Sequence, residues 1–333
     1  MNHWSKITKI NDDANYNGAL AVTAPDQVLF RHTQGIADYA TGMPFTFSTT
    51  SGIGSVTKQF LATVVLMLAE EGKVTLSDKL SQYLPEYRFA DQITLRQLLN
   101  MAAGVPDYVD AVVKQTLAGR VLSTDPDDDP QINRAVGENI SLVHALALIN
   151  PLPLTYTPGT KSQYSNSNYL LLGTVVERVT GQGLAQIFQQ RIFSVLGMTR
   201  TKLGTQFAQA DSYLKIDDRL VTLGRGHHIA GDGGLVTTIT DLTRWAQAVL
   251  QQRFLQPTTW QAAMTLYKDF YGFAWLKKGS WYWHGGRVLG YQADIYVSPE
   301  RGLATTWLYN VTPVNDARLA AWYQQRDAWH EQL

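Results

Sequence analysis

The sequence predicts an α+β fold, an antiparallel sheet flanked by helices as an α/β sandwich, with an all-helical segment inserted into it. Three observations carry this. Residues 18–38 hold two short, β-rich apolar runs around Pro25-Asp26-Gln27, a hairpin signature. From about 75 to 210 the apolar spacing is three and four, as in TLRQLLNMA, SLVHALALI, NYLLLGTVVERV and GLAQIFQQRIF. Beyond 270 the aromatic stretches FYGFAWLKKGSWYWHGG, GYQADIYVSP and GLATTWLYN read as antiparallel strands separated by turns. The expected division is a discontinuous sheet domain of residues 1–75 and 211–333, a helical domain of residues 76–210, and a cleft between them.

The remaining elements follow in order. Val56 to Glu71 is nearly all apolar or small and stops at Gly72, so this helix is expected to be buried on most faces. After AGDGGLVTT, Thr240-Asp241 reads as the cap of a helix over LTRWAQAVL. From about Asp316 the chain returns to helix, with Trp322, Tyr323 and Trp329 at packing spacings. No repeat is evident, and the one biased tract is the acidic TDPDDDP.

Composition narrows the function. Twenty-eight basic side chains balance twenty-eight acidic ones across 333 residues, so no overall field draws the chain onto nucleic acid or anionic lipid. Without cysteine there is no disulfide, thiolate metal site or thiol nucleophile. The start, MNHWSKITKINDDANY, lacks a signal-peptide core, and no stretch has the ~18 uninterrupted apolar residues of a membrane span. A cytoplasmic enzyme without cofactor or metal is expected, exported only if the natural start is longer.

The chemistry concentrates in three places. In TSGIGSVTKQF, Ser55 follows a Gly-rich turn at a helix N-terminus, where free amides and the dipole favour developing negative charge, and Lys58 lies one turn on. A lysine desolvated there loses proton affinity and can accept the serine proton; the bland alternative is an N-cap serine with a lysine snorkelling to water. In QYSNSNY, Tyr164 and Asn166 precede a helix, placed to share a proton and to hold a carbonyl; an N-cap asparagine and an interfacial tyrosine are the ordinary reading. In WHGGR, the glycines beside His284 let a substrate backbone approach the strand, and the Arg287 amide can complete an oxyanion hole with that of Ser55; alone, such a stretch is more often a turn. A second Ser-x-x-Lys, Ser212 to Lys215, has no apolar helix behind it and reads as a surface coincidence. His227-His228 and the acidic loop Asp125 to Asp129 read as solvated loops rather than metal ligands. The Trp and Tyr residues near 271 to 291 read as sheet packing rather than a substrate groove.

In this order, Ser55-x-x-Lys58, Tyr164-x-Asn166 and His284-Gly285-Gly286 resemble the motifs of the serine β-lactamase and penicillin-binding-protein superfamily. The closer likeness is to its class C β-lactamase, D-alanyl-D-alanine carboxypeptidase and esterase branch, and it extends through ITLRQLLN, GVPDY, YSNSNYLLLG and AGDGGLVTTITDLTRWA, about residues 18–310. The resemblance implies a β-lactamase/transpeptidase-like fold and acyl transfer through Ser55, with Lys58 and Tyr164 handling the proton. It also implies that Asn166 orients substrate and that His284, Gly285, Gly286 and Arg287 line the substrate strand. Which of Lys58 and Tyr164 is the base stays open. A histidine where β-lactamases carry lysine points to esters, amides or peptides over penicillins, and so to an esterase or D-Ala-type peptidase with weak or no β-lactamase activity. The alternative is a binding or sensing module that does not turn over. Asn100 to Gly104 departs from the related Thr-His-Thr-Ser-Gly pattern, which leaves its loop geometry open.

Overall fold

A computed structural model describes residues 3–14, 16–120, 129–217, 219–314 and 317–333. Its largest sheet has six antiparallel strands, in the order Leu276–Lys278, Trp281–Val288, Tyr291–Ser298, Leu303–Tyr309, Gly18–Thr23 and Val28–Gln34. The two chain ends meet inside it, where Gly18 pairs with Tyr309 and Thr23 with Ala304. The expected hairpin is present, closed by the Ala24 amide donating to the Gln27 carbonyl at 2.9 Å.

Period-two alternation divides the central strand GALAVT between two layers. Ala19 and Ala21 face a core that contains the helix Ile239–Leu250, whereas Leu20 and Val22 face the helices His3–Asp13 and Ala317–His330. Helices therefore cover both faces of the sheet. On the second face Trp281, Trp307, Trp322 and Trp329 are all buried, each worth several kcal/mol of apolar area at about 25 cal/mol per Å². The first helix carries Trp4, Ile7 and Ile10 at a spacing of three, a signal too sparse for the sequence reading to assign it an element.

The helix Thr57–Glu70 is buried along nearly its whole length and ends as its sequence predicts. Gly72 takes φ +70, its amide donates to the Ala69 carbonyl and that of Lys73 to Leu68, a Schellman closure. Among the described residues nine further helical segments lie between Leu80 and Leu196, and a continuous apolar core joins them to this helix and to the sheet. The helix after AGDGGLVTT starts earlier than expected: Thr238, not Thr240, caps it, accepting from the Asp241 amide at 3.1 Å. Among the described residues no helix is long and apolar enough to cross a membrane.

Candidate active site

Ser55 sits on a tight turn, Gly54–Val56, between the short strand Ser51–Gly52 and the helix Thr57–Glu70. Gly54 has φ +46, and a Cβ there would lie 2.5 Å from the Arg287 nitrogen. Gly286 is its counterpart, since a Cβ on it would lie 2.0 Å from the Ile53 carbonyl oxygen and 2.7 Å from the Ser55 nitrogen. Two missing side chains thus let the strand Trp281–Val288 run in backbone contact with the turn that carries Ser55.

Lys58 is fully buried one turn further on. Its Nζ donates to Ser55 Oγ at 2.8 Å, to Asn166 Oδ1 at 2.8 Å and to the Asp232 carbonyl at 2.5 Å. Burial lowers its proton affinity from 10.5 to about 8, with the Asp232 and Asp107 carboxylates pulling it back up.

The orientation of Asn166 follows from chemistry. Asp107 Oδ2 accepts both the Asn166 backbone amide at 2.9 Å and its Nδ2 at 3.0 Å, and an ionised carboxylate can only accept. Nδ2 must therefore face Asp107, and Oδ1 must face Lys58. A neutral lysine then spends its two N–H bonds on two obligate acceptors, Asn166 Oδ1 and the Asp232 carbonyl. The lone pair is left for the Ser55 hydroxyl.

Tyr164 stands on the loop before the helix Asn166–Thr180, its ring centroid 5.1 Å from Lys58 Nζ. Burial pushes its phenol well above the ordinary value, and a hydrogen bond with Ser55 opposes that only in part. The loop is held from below by the segment whose geometry the sequence left open. Met101, at φ +57, accepts from the Gln163 amide at 2.9 Å and from the Tyr156 hydroxyl at 2.8 Å, while Ser162 donates to the Asn100 carbonyl at 2.8 Å.

His284 is buried with its Nδ1 2.6 Å from the Gly285 carbonyl and its Nε2 2.7 Å from the Tyr271 hydroxyl. Because a carbonyl only accepts, Nδ1 carries the proton and Nε2 accepts from Tyr271. Burial, and then the Lys58 charge, lower this histidine to about 3, so it is neutral near pH 7.

A second layer stands behind Lys58, and the sequence reading missed it. Asp232 Oδ1 pairs with His228 Nε2 at 3.0 Å, and its Oδ2 accepts from the Tyr108 hydroxyl at 2.6 Å. Burial pushes the Asp232 carboxyl up, but His228, Lys58 and Tyr108 outweigh it and hold it at about 2. Burial raises Asp107 to about 6 against the amides of Asn166 and Val109. In the sequence Asp107 offers only the signal of an N-cap, which it also is, accepting from the Val109 amide at 3.0 Å.

Several expectations need correction. His228 is a buried partner of Asp232, not part of a solvated loop. Ser212 to Lys215 lies in a β-strand and is not wholly at the surface, since Ser212 is buried and donates to the Gly224 carbonyl; strand alternation sends its serine and lysine to opposite faces, in keeping with a coincidental motif. Of the acidic loop, Asp129 caps the helix Pro130–Val136, and Asp125 to Asp128 lie outside the described residues. Among the aromatics near 271 to 291, Tyr271, Trp275, Trp281 and Tyr291 are packed as expected, but Trp283 lines a cavity. Among the described residues no three His, Asp or Glu side chains converge as metal ligands.

Ser55 and Arg287 border two cavities. The larger, about 420 Å³, is lined by Tyr164, His284, Gly285 and Trp283. The smaller, about 170 Å³, is lined by Asn166, Tyr108, Val109 and Leu289.

Comparison with known proteins gives one answer at the level of family. The chain is 27% identical over 310 residues to a D-aminopeptidase of Brucella anthropi, a match covering 88% of this chain and 56% of that protein. It therefore spans little more than half the length of that relative. Its fold is similar to that of a penicillin-binding protein from Bacillus halodurans, at TM-score 0.81 and 23% identity with both chains fully covered. It is also similar to a D-amino acid amidase from Ochrobactrum anthropi SV3, at TM-score 0.79 and 22% identity over 98% of this chain and 97% of that one. The beta-lactamase family model matches residues 5–329, so that this chain belongs to the superfamily of serine β-lactamases and penicillin-binding proteins.

Proposed function

We propose that the protein is a serine hydrolase that forms an acyl-enzyme on Ser55 and acts on small amides or peptides, with activated esters as further substrates. The observation that carries this is Lys58, buried, at about 8, and with its lone pair left for Ser55 by two obligate acceptors. Neutral Lys58 takes the Ser55 proton as Oγ attacks the substrate carbonyl. The amides of Ser55 and Arg287 receive the oxyanion, a role supported by the close approach at Gly54 and Gly286. Tyr164 stays protonated, so it acts as a donor: its phenol proton goes to the leaving nitrogen while Lys58 returns the serine proton to it. Water then enters and loses a proton to the same relay as its oxygen bonds to the acyl carbon; the bond from that carbon to Ser55 Oγ breaks, Oγ takes the proton back from Lys58, and the acid is released.

With Tyr164 as the donor, the leaving group sits in the larger cavity, which Tyr164 lines, and the acyl group beside Asn166 in the smaller one; the two linings support this reading. Neutral His284 offers no fixed charge to a β-lactam carboxylate, which supports weak or absent β-lactamase activity. The D-aminopeptidase and D-amino acid amidase among its relatives make amides and peptides of D-amino acids the substrates to try first. In this reading residues 76–210 form a helical lobe facing the sheet domain of residues 1–75 and 211–333, with Ser55 between them. The test is labelling with a fluorophosphonate and peptide mass mapping, followed by turnover of D- and L-amino acid amides, p-nitrophenyl esters and nitrocefin. The adduct is expected on Ser55, with multiple turnovers lost in Ser55→Ala. Labelling unchanged in Ser55→Ala overturns the proposal.

A further inference from the structure

The turn that follows the Arg287 strand contains an anomaly. Leu289, a bulky residue, takes φ +53, a left-handed conformation that disfavours a branched side chain and persists only where the surroundings enforce it. Its side chain is almost completely buried. Two glycines from other parts of the chain make the space. A Cβ on Gly137, which ends the helix Pro130–Val136, would lie 2.4 Å from Leu289 Cδ2, and one on Gly226 would lie 2.8 Å from Cδ1. The two glycine loops are tied together by the His227 amide donating to the Gly137 carbonyl at 3.0 Å. Leu289 thus plugs a socket made by two loops, and it forms a wall of the smaller cavity beside Ser55.

We infer that Leu289 is the specificity-determining residue of this enzyme, closing the acyl side so that only short acyl groups are accepted. The inference rests on the acyl-enzyme reading and on the placing of the acyl group beside Asn166. A cavity of about 170 Å³ holds about five or six water-sized groups at roughly 30 Å³ each. Acetyl, propionyl and alanyl fit that space; octanoyl does not. Glycine at 289 suits the backbone angle better than leucine does and removes the wall, so Leu289→Gly opens the cavity without adding backbone strain.

The experiment compares kcat/KM for p-nitrophenyl acetate, butyrate and octanoate in the wild-type chain, Leu289→Gly and Leu289→Ala, with fluorophosphonate labelling of Ser55 and circular dichroism run alongside. In the wild type, acetate is expected to exceed octanoate by at least tenfold, in line with about tenfold or more per misfitted methylene. In either folded variant the octanoate-to-acetate ratio is expected to rise at least tenfold. A wild-type preference for octanoate overturns the inference, as does a ratio unchanged within twofold in a variant that keeps its fold and its Ser55 labelling. If neither variant folds, the wild-type profile alone decides. Absence of Ser55 labelling in the wild type is a different failure, that of the acyl-enzyme reading itself.

Discussion

Replacing Asp107 by asparagine tests the electrostatics of the site in one step. If neutral Lys58 is the base, a group with proton affinity of about 8 is roughly one-tenth free amine at pH 7 and nine-tenths at pH 9. Wild-type kcat/KM should therefore rise about tenfold across that interval and level off above it. His284, at about 3, and Asp107, at about 6, lie below the window. Burial lowers His228, but Asp232 outweighs it and raises that histidine toward the acid side of the window, so the assignment to Lys58 rests on the shift that a change at Asp107 produces. The Asp107 carboxylate raises the lysine's affinity across the Asn166 amide. Charges about 7 Å apart at an effective dielectric near 20 interact by about 2 kcal/mol, or somewhat more than one pH unit before solvent relaxation. In Asp107→Asn the limb should move toward acid by about one pH unit. The plateau should also fall, because an amide at 107 no longer dictates which way Asn166 points. The assay is kcat/KM against pH from 5.5 to 10 with a non-ionising activated ester. A limb that stays in place, or moves toward alkali, refutes the assignment of Lys58 and the role given to Asp107 together.

Gly286→Ala should cost about 1–3 kcal/mol by overpacking and reduce activity at least a hundredfold, since the added methyl meets the Ile53 carbonyl and the Ser55 amide; thermal unfolding and ester turnover check both halves, and near-normal turnover would contradict the close approach. For Lys58→Met the informative quantity is stability against pH. Folded Lys58 releases its proton near 8 and the unfolded chain near 10.5, so between those values the unfolded state binds more protons and wild-type stability climbs with pH. The wild type should gain roughly 3 kcal/mol over Lys58→Met between pH 7 and 10.5, a window that urea unfolding at three pH values resolves; parallel pH profiles for the two proteins would mean that the lysine is not desolvated.

The sequence made legible whatever depends on local pattern. The hairpin at Pro25, the stop at Gly72 and the strands beyond residue 270 follow from turn chemistry and side-chain period, and the Ser55, Lys58, Tyr164 and Asn166 cluster from ordered motifs. The second layer was not legible, because nothing local distinguishes a carboxylate that caps a helix from one that also fixes an amide 59 residues away. His228 shows the same limit. Its neighbours in the sequence are polar and glycine-rich, and only the fold brings Tyr108 up against Asp232 to bury the group. Leu289 was hidden for another reason: the two glycines that accommodate it lie in separate loops, each readable by itself as an ordinary turn.

The placing of the charges explains how one lysine can be both buried and useful. A carboxylate in direct contact would hold Lys58 as ammonium and abolish its basicity, whereas no carboxylate nearby would leave desolvation unopposed. The site lies between these extremes. Lys58 touches a hydroxyl, an amide oxygen and a backbone carbonyl, all formally neutral. The two carboxylates that pull its affinity back up stand beyond those contacts and are occupied by other donors: Asp232 by His228 and Tyr108, Asp107 by the amides of Asn166 and Val109. Their influence therefore reaches the lysine as a field rather than as an ion pair. A field of that reach offsets part of the desolvation without cancelling it, and it leaves the amine near 8, where a catalytic base can give and take a proton at modest cost.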